Sequence, residues 1–202
     1  MNKQVQKLSR ELALMKVQVS NSVPKPKRKR NKKKKNRSTP GTTGVAIMQS
    51  VGQITFGRLE YLGDVVASKA VIIDLKPSSF PYLGTLSKGF ERYKWRSMTI
   101  HYKPIVGTTA AGAVTLGVDW TNTERNTRKE IAALTPVLDT PVWQLAKLTL
   151  PVARLNSRKE YMVTGTDAND CGPGKLCVVV TGATGTVGDL WIQYHLDMYG
   201  TC

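Results

Sequence analysis

The chain has 202 residues, with 30 Lys or Arg against 14 Asp or Glu, for a formal net charge of +16. The excess is unevenly held: residues 1–44 contain fourteen basic residues and one acid, Glu11, whereas residues 45–202 hold sixteen bases against thirteen acids. No apolar run approaches the roughly 20 residues that a spanning helix needs, and the polar N-terminus does not read as a secretory leader, so no membrane association is expected.

Taken in chain order, Val5, Leu8, Leu12, Met15 and Val19 recur at spacings of three and four, the pattern of a short helix over residues 4–19. Two heptads are too few to hold an isolated helix in water, so this segment reads either as a transient helix in a disordered arm or as one that forms against a partner. Pro24 and Pro26 end it. Between them and Arg37 lie ten basic residues without an acid: Lys25, Lys27, Arg28, Lys29, Arg30, Lys32, Lys33, Lys34, Lys35 and Arg37. Like charges crowded on a segment with no apolar surface to bury keep it extended and disordered until a polyanion neutralises it. "STPGTTG" then reads as a linker to a domain spanning 45–202.

From there the pattern changes to short β segments: "QITFGRLEY", "ASKAVIIDLKP", "RYKWRSMTIHYKP", "GAVTLGVDW", "PVWQLAKLTL", "RKEYMVTG", "GKLCVVVTG" and "GDLWIQYHLDMYG". In the third, alternation predicts Tyr93, Trp95 and Ser97 on one face and Lys94, Arg96 and Met98 on the other. Helix is expected only within "PYLGTLSKGFERY" and "TRKEIAALT". Eight strands separated by Gly, Pro, Asn and Asp clusters predict an all-β, two-sheet sandwich with one or two short helices.

The residues offer no enzyme. His101 and His195 fall inside predicted strands beside aromatics, where a structural role is expected. No nucleophile elbow, zinc-protease or phosphate-loop motif is present, and "GATGTVGD" lacks the lysine and helix of a phosphate loop and reads as a turn. Cys171, Cys177 and Cys202 cannot all pair and lack zinc-ligand spacing, which predicts reduced thiols in a cytosolic protein. The basic run is the stronger signal. Lysines and arginines near phosphates release counterions and gain affinity without reading sequence, and the run has no aromatic on which a base would stack. Bulk neutralisation of nucleic acid is therefore expected. The competing readings are a nuclear or nucleolar import signal and a solubilising tail.

Residues 80–124 carry a resemblance: Phe80-Pro81-Tyr82-Leu83, Tyr93, Tyr102-Lys103-Pro104, Thr108-Thr109, Gly112 and Asp119 occur in order, and the chain closes on "VGDLWIQYHLDMYG". This resembles the shell domain in coat proteins of small icosahedral positive-strand RNA plant viruses, of the sobemovirus, tombusvirus and luteovirus kind. The resemblance implies an eight-stranded antiparallel jelly-roll sandwich behind a basic arm. It implies a capsid protein that assembles with itself, in about 180 or about 60 copies, around genomic single-stranded RNA. It places the protein in the virion and in the host cytoplasm, with the nucleus or nucleolus as a further site; because the sequence stops after its last predicted strand, the protruding domain of some tombusvirus relatives is not expected. Many members hold calcium between subunits with two aspartates one residue apart. Here Asp119 matches the first and Thr121 stands at the second, so the implied ligands are Asp119 and Asn122, with Glu124 nearby and Asp64, Asp139, Asp167 or Asp170 of a neighbour. The alternative at Asp119 is a carboxylate that caps its own loop. The rival to the capsid reading is a cellular RNA-binding or ribosome-associated protein with a basic tail on a β-domain.

Overall fold

The computed structural model describes residues 48–50, 52–67 and 69–201. The basic residues Lys25 to Arg37, the helical pattern over 4–19 and Cys202 lie outside the described residues. The chain forms strands β1 (Met48–Ser50), β2 (Gln53–Val66), β3 (Val71–Asp74), β4 (Phe90–Pro104), β5 (Ala113–Asp119), β6 (Val137–Pro141), β7 (Ala146–Thr149), β8 (Tyr161–Met162), β9 (Lys175–Thr181) and β10 (Thr186–Thr201). One sheet, A, has the order β1-β2-β10-β4-β7, with β8 also on β4; the other, B, runs β3-β9-β5-β6. Every pairing is antiparallel. Strands β2 to β5 alternate between the sheets, and neighbours within a sheet lie far apart in sequence, as β2 and β10 do. The fold is the expected jelly-roll sandwich.

Two of the ten strands among the described residues are not among the predicted eight. β1 is three residues long. β6, "VLDTP", has no apolar alternation and ends in proline, which only an edge strand tolerates; it pairs on one side, to β5. The predicted strand over 141–150 is accordingly the end of β6, a turn at 142–145 and β7.

The two inner faces meet in a core of Phe56, Trp95, Ile100, Tyr102, Leu190 and Ile192 from sheet A and Val114, Leu116, Leu176 and Val178 from sheet B. The expected alternation along β4 holds only in part. Tyr93 and Trp95 point inward, but so do Met98, Ile100 and Tyr102, while Ser97 faces out to His195 Nδ1 at 3.1 Å. The pairing with β10 explains this: Trp95 opposes Leu196 and Ser97 opposes His195, so Arg96 is an extra residue that shifts the phase by one. The bulge turns Arg96 to the outer face, where its Nε meets Asp197 Oδ1 at 2.6 Å.

The predicted helices are α1 (Pro81–Leu86) and α2 (Arg128–Ala132), joined by single turns α3 (Val152–Leu155) and α4 (Ala168–Cys171). Thr127 and Glu130 close a reciprocal capping box at the start of α2. α2 lies over the outer face of β5. A side chain at Gly117 would come within 2.9 Å of Ile131 Cγ2, so only glycine admits the helix there. This cover buries β5 on both faces, which is why its sequence is small and β-branched and shows no apolar–polar alternation.

α1 has no capping side chain of its own; Glu60 of β2 supplies one. Its carboxylate accepts the backbone N–H of Tyr82 (3.0 Å) and of Leu83 (3.1 Å), and the hydroxyl of Tyr194. Burial, then the Glu60 contact, pushes the Tyr194 phenol far above its ordinary range, so it stays a donor. Glu60→Ala strands these buried donors. A loss of about 3 kcal/mol is expected, lowering the thermal midpoint by roughly 10 °C in a domain this size; a shift under about 2 °C would mean that water replaces the carboxylate.

Candidate assembly surface and the end of strand β5

The topology gathers four connections at one end of the sandwich: 67–70, 105–112, 142–145 and 182–185. Hydrogen bonds tie them together. Ala67 N–H donates to Gly185 O (2.9 Å), Ile105 N–H to Val187 O (3.1 Å) and Val142 N–H to Gly112 O (3.2 Å). The buried Tyr102 hydroxyl reaches both Val142 O (2.6 Å) and Val187 O (3.1 Å). Burial above all, with Asp189 adding to it, pushes that phenol up to about 12, so it donates at any physiological pH. "GATGTVGD" supplies one of these turns, as expected, with Gly182 and Gly185 at φ +74° and +71°.

Across all four connections Lys69 is the only charged residue. Large apolar side chains nevertheless face outward here: Ile105 is 59% exposed, Leu145 67% and Trp143 38%. Beside them lies an apolar groove of about 210 Å³ lined by Val106, Ala110, Ala183 and Val187. The opposite end is built otherwise. Its connections at 75–89, 120–136 and 150–174 carry thirteen charged residues.

Asp119 closes β5 at that charged end, and its side chain is 3% exposed. Oδ1 accepts the backbone N–H of Thr121 (2.7 Å) and the Thr121 hydroxyl; Oδ2 accepts Arg125 Nε (2.8 Å). Burial pushes the carboxyl up, but the bonds from Thr121 and Arg125 outweigh it and hold the group below the ordinary aspartate range. Asn122 sits at φ +58° and donates its amide to Asn169 Oδ1 (2.7 Å), tying this loop to α4. Glu124 and Asp74 share Lys175, at 2.9 and 3.7 Å. The aspartates weighed as a neighbour's ligands are engaged too: Asp64 by the Tyr61 hydroxyl, Asp139 by Thr115 and Arg128 (2.7 and 2.6 Å), Asp167 by Asn169 N–H (2.8 Å) and Asp170 by Arg158. Among the described residues of one subunit no three His, Cys, Asp or Glu are grouped as a metal site requires. The donor set at Asp119 and Asn122 fits a loop cap and not a cation, because a guanidinium already stands against the one carboxylate oxygen that Thr121 leaves open.

The outer face of sheet A carries the two histidines. His101 Nε2 lies 3.3 Å from Gln193 Oε1, and His195 stacks over Gly57, where a Cβ would come within 2.3 Å of its ring. Both make structural contacts with neighbouring strands. Lys103 sits 3.9 Å over the Trp191 ring, whose edge meets Tyr61. Cys171 and Cys177 are buried free thiols, the latter beneath the loop that carries Arg125.

Of the residues singled out in the sequence, the ten basic ones are not described, and Asp119 and Asn122 are brought to one loop but face different partners. Ile105, Trp143, Leu145 and Arg125 were not anticipated. The first three had a readable signal, since "IVGTTAAG" and "VWQL" are uncharged yet hold bulky apolar residues.

Comparison with known proteins bears on the whole arrangement. A family model described as viral coat protein (S domain) matches residues 15–202. The capsid protein of Tomato bushy stunt virus (strain BS-3) is 29% identical over 178 residues, covering 80% of this chain and 45% of that protein. That of Cucumber necrosis virus is 27% identical over 131 residues, 62% and 33% respectively. The chain thus spans less than half the length of these curated relatives. Among solved structures, tobacco necrosis virus superposes with a TM-score of 0.69 at 15% identity, over 80% of this chain and 89% of that one. Cucumber necrosis virus gives 0.68 at 20%, over 76% and 58%. The match over residues 15–202, on a domain folded as two antiparallel sheets, means that the chain belongs to the viral coat protein (S domain) family.

Proposed function

We propose that this chain is the shell subunit of an icosahedral virus particle, in which the β-sandwich forms the wall and residues 1–44 neutralise packaged single-stranded RNA. The observation that carries the assembly half is the loop end that holds a single charge, Lys69, with Ile105, Trp143 and Leu145 facing outward. Copies related by a rotation bring each residue near the axis against its own equivalent, so any charge there meets an identical charge. A surface nearly free of charge and rich in exposed apolar area suits that contact with further copies of the same chain.

The RNA half rests on the division of charge. A wall that encloses a polyanion stays soluble if its positive charge is segregated, and +13 lies in the first 44 residues. About 180 copies would carry about 2,300 such charges on their arms, and about 60 copies about 780, to set against phosphates. The rival, a cellular RNA-binding protein, needs basic residues spread over one face of the folded domain, whereas most of the domain's arginines seen here are paired with carboxylates. The proposed location is the virion, and before assembly the host cytoplasm, with the basic run serving import to the nucleus or nucleolus as well.

The test is electron microscopy of the purified full chain together with its absorbance ratio at 260 and 280 nm. Closed particles of uniform size containing nucleic acid are expected. A small monodisperse protein at every concentration and salt tried would overturn the reading.

A further inference from the structure

The loop after β5 carries its own positive charge. Three donors from the same chain, Thr121 N–H, Thr121 hydroxyl and Arg125 Nε, satisfy both oxygens of Asp119. A hard divalent cation needs six to eight oxygen ligands, and here the oxygen that would start such a shell faces a guanidinium, which repels a metal ion. The surrounding acids repeat the arrangement. Among the described residues Lys175 lies between Glu124 and Asp74, Arg128 on Asp139 and Arg158 on Asp170, so these carboxylates already have counter-ions within the subunit. Lys175 also sits opposite Asp119 in the β5–β9 register, and Asn122, the second candidate ligand, is turned away to Asn169.

We propose that Arg125 is the built-in counter-ion of Asp119, so that the surface at this end of the sandwich takes up no divalent cation and particles built from it hold together without one. The consequence for particles rests on the shell reading above; the ion pair itself does not. Arg125 acts here as a positioning residue: it fixes the 120–127 loop through Asp119, and its charge stands where an ion would otherwise be required.

Calorimetric titration of calcium into the full chain, and light scattering of particles at neutral and mildly alkaline pH with and without chelator, test this. The expected results are no stoichiometric calcium binding and an unchanged radius in all four conditions. One calcium per subunit, or swelling that added calcium reverses, would overturn the proposal. Arg125→Gln keeps a side chain that can donate but removes the charge. It should convert particles to divalent dependence, with at least a severalfold rise in free subunit under chelator that millimolar calcium reverses. Equal behaviour of this variant and the parent in both conditions would also overturn it, because a purely structural loop contact would not change the response to calcium. If Arg125→Gln fails to fold, the titration of the parent chain decides. Absence of any particles would sink the shell reading alone, since the soluble chain still reports whether calcium binds.

Discussion

Leu145→Glu combined with Ile105→Glu should leave a folded subunit that no longer assembles. Both side chains are more than half exposed in the subunit, so neither substitution removes a core contact, and the thermal midpoint of the isolated domain should move by less than about 3 °C. Assembly is different. Burying the exposed parts of an Ile and a Leu against neighbours is worth about 3 kcal/mol per subunit, more than a hundredfold in an association constant. In the proposed shell the new carboxylates add repulsion, because each would meet its own equivalent in the next copy around an axis. Size-exclusion chromatography and microscopy would then find free subunits at concentrations where the parent chain forms particles. The lysine variants of the same positions should fail equally, since the argument concerns like charge and lost apolar area and not the sign. Intact particles from the double variant would place the copy–copy contacts elsewhere on the sandwich. The groove formed by Val106, Ala110, Ala183 and Val187 offers a second test: if a neighbour's side chain enters it, Ala183→Asp should weaken assembly by more than any change in the thermal midpoint of the isolated domain accounts for.

What the sequence disclosed and what it withheld follow a physical line. Strand identity was legible wherever β-branched and aromatic residues lie between turn residues, as in β4, β9 and β10. The phase within a strand was not, because a bulge is a property of the pairing and not of one strand: nothing in "RYKWRSMT" announces that Arg96 has no partner opposite it. β6 was hidden because a partly exposed edge strand can be polar and end in proline. Tertiary packing likewise decided the reading of Asp119. Its place at the end of a strand was plain, but Thr121 two residues on and Arg125 six residues on become ligands of its carboxylate only once the loop has turned back. The same holds for Glu60, which is separated by more than twenty residues from the helix it caps. The nearly uncharged end is a sum over four connections that only the alternation of strands between sheets brings together.

Replacing Lys32, Lys33, Lys34 and Lys35 with glutamine should weaken RNA binding uniformly across sequences. Each lysine that neutralises a phosphate releases about 0.7 of a counterion from a single strand, so four fewer contacts should lower the slope of log affinity against log salt by about 3. The run lacks any aromatic residue, and hydrogen bonds from lysine to phosphate carry no base information, so the ranking of different RNAs should not change. Removing residues 1–44 altogether takes this to its limit. Among the described residues the core begins at Phe56 and is filled from β2 onward, so the truncated domain should keep its circular dichroism and thermal midpoint. Any shells it forms should carry little nucleic acid, or none, in the 260 to 280 nm absorbance ratio. Two results would count against this account. An unchanged salt slope in the glutamine variant would mean that these lysines do not touch phosphate, and unfolding of the truncated domain would mean that the arm belongs to the core. A third outcome, loss of binding confined to one RNA sequence, would reveal recognition that charge alone cannot supply. The effect of the four lysines should also vanish at high salt, where the Debye length falls to about 3 Å at 1 M and both forms of the arm bind equally weakly.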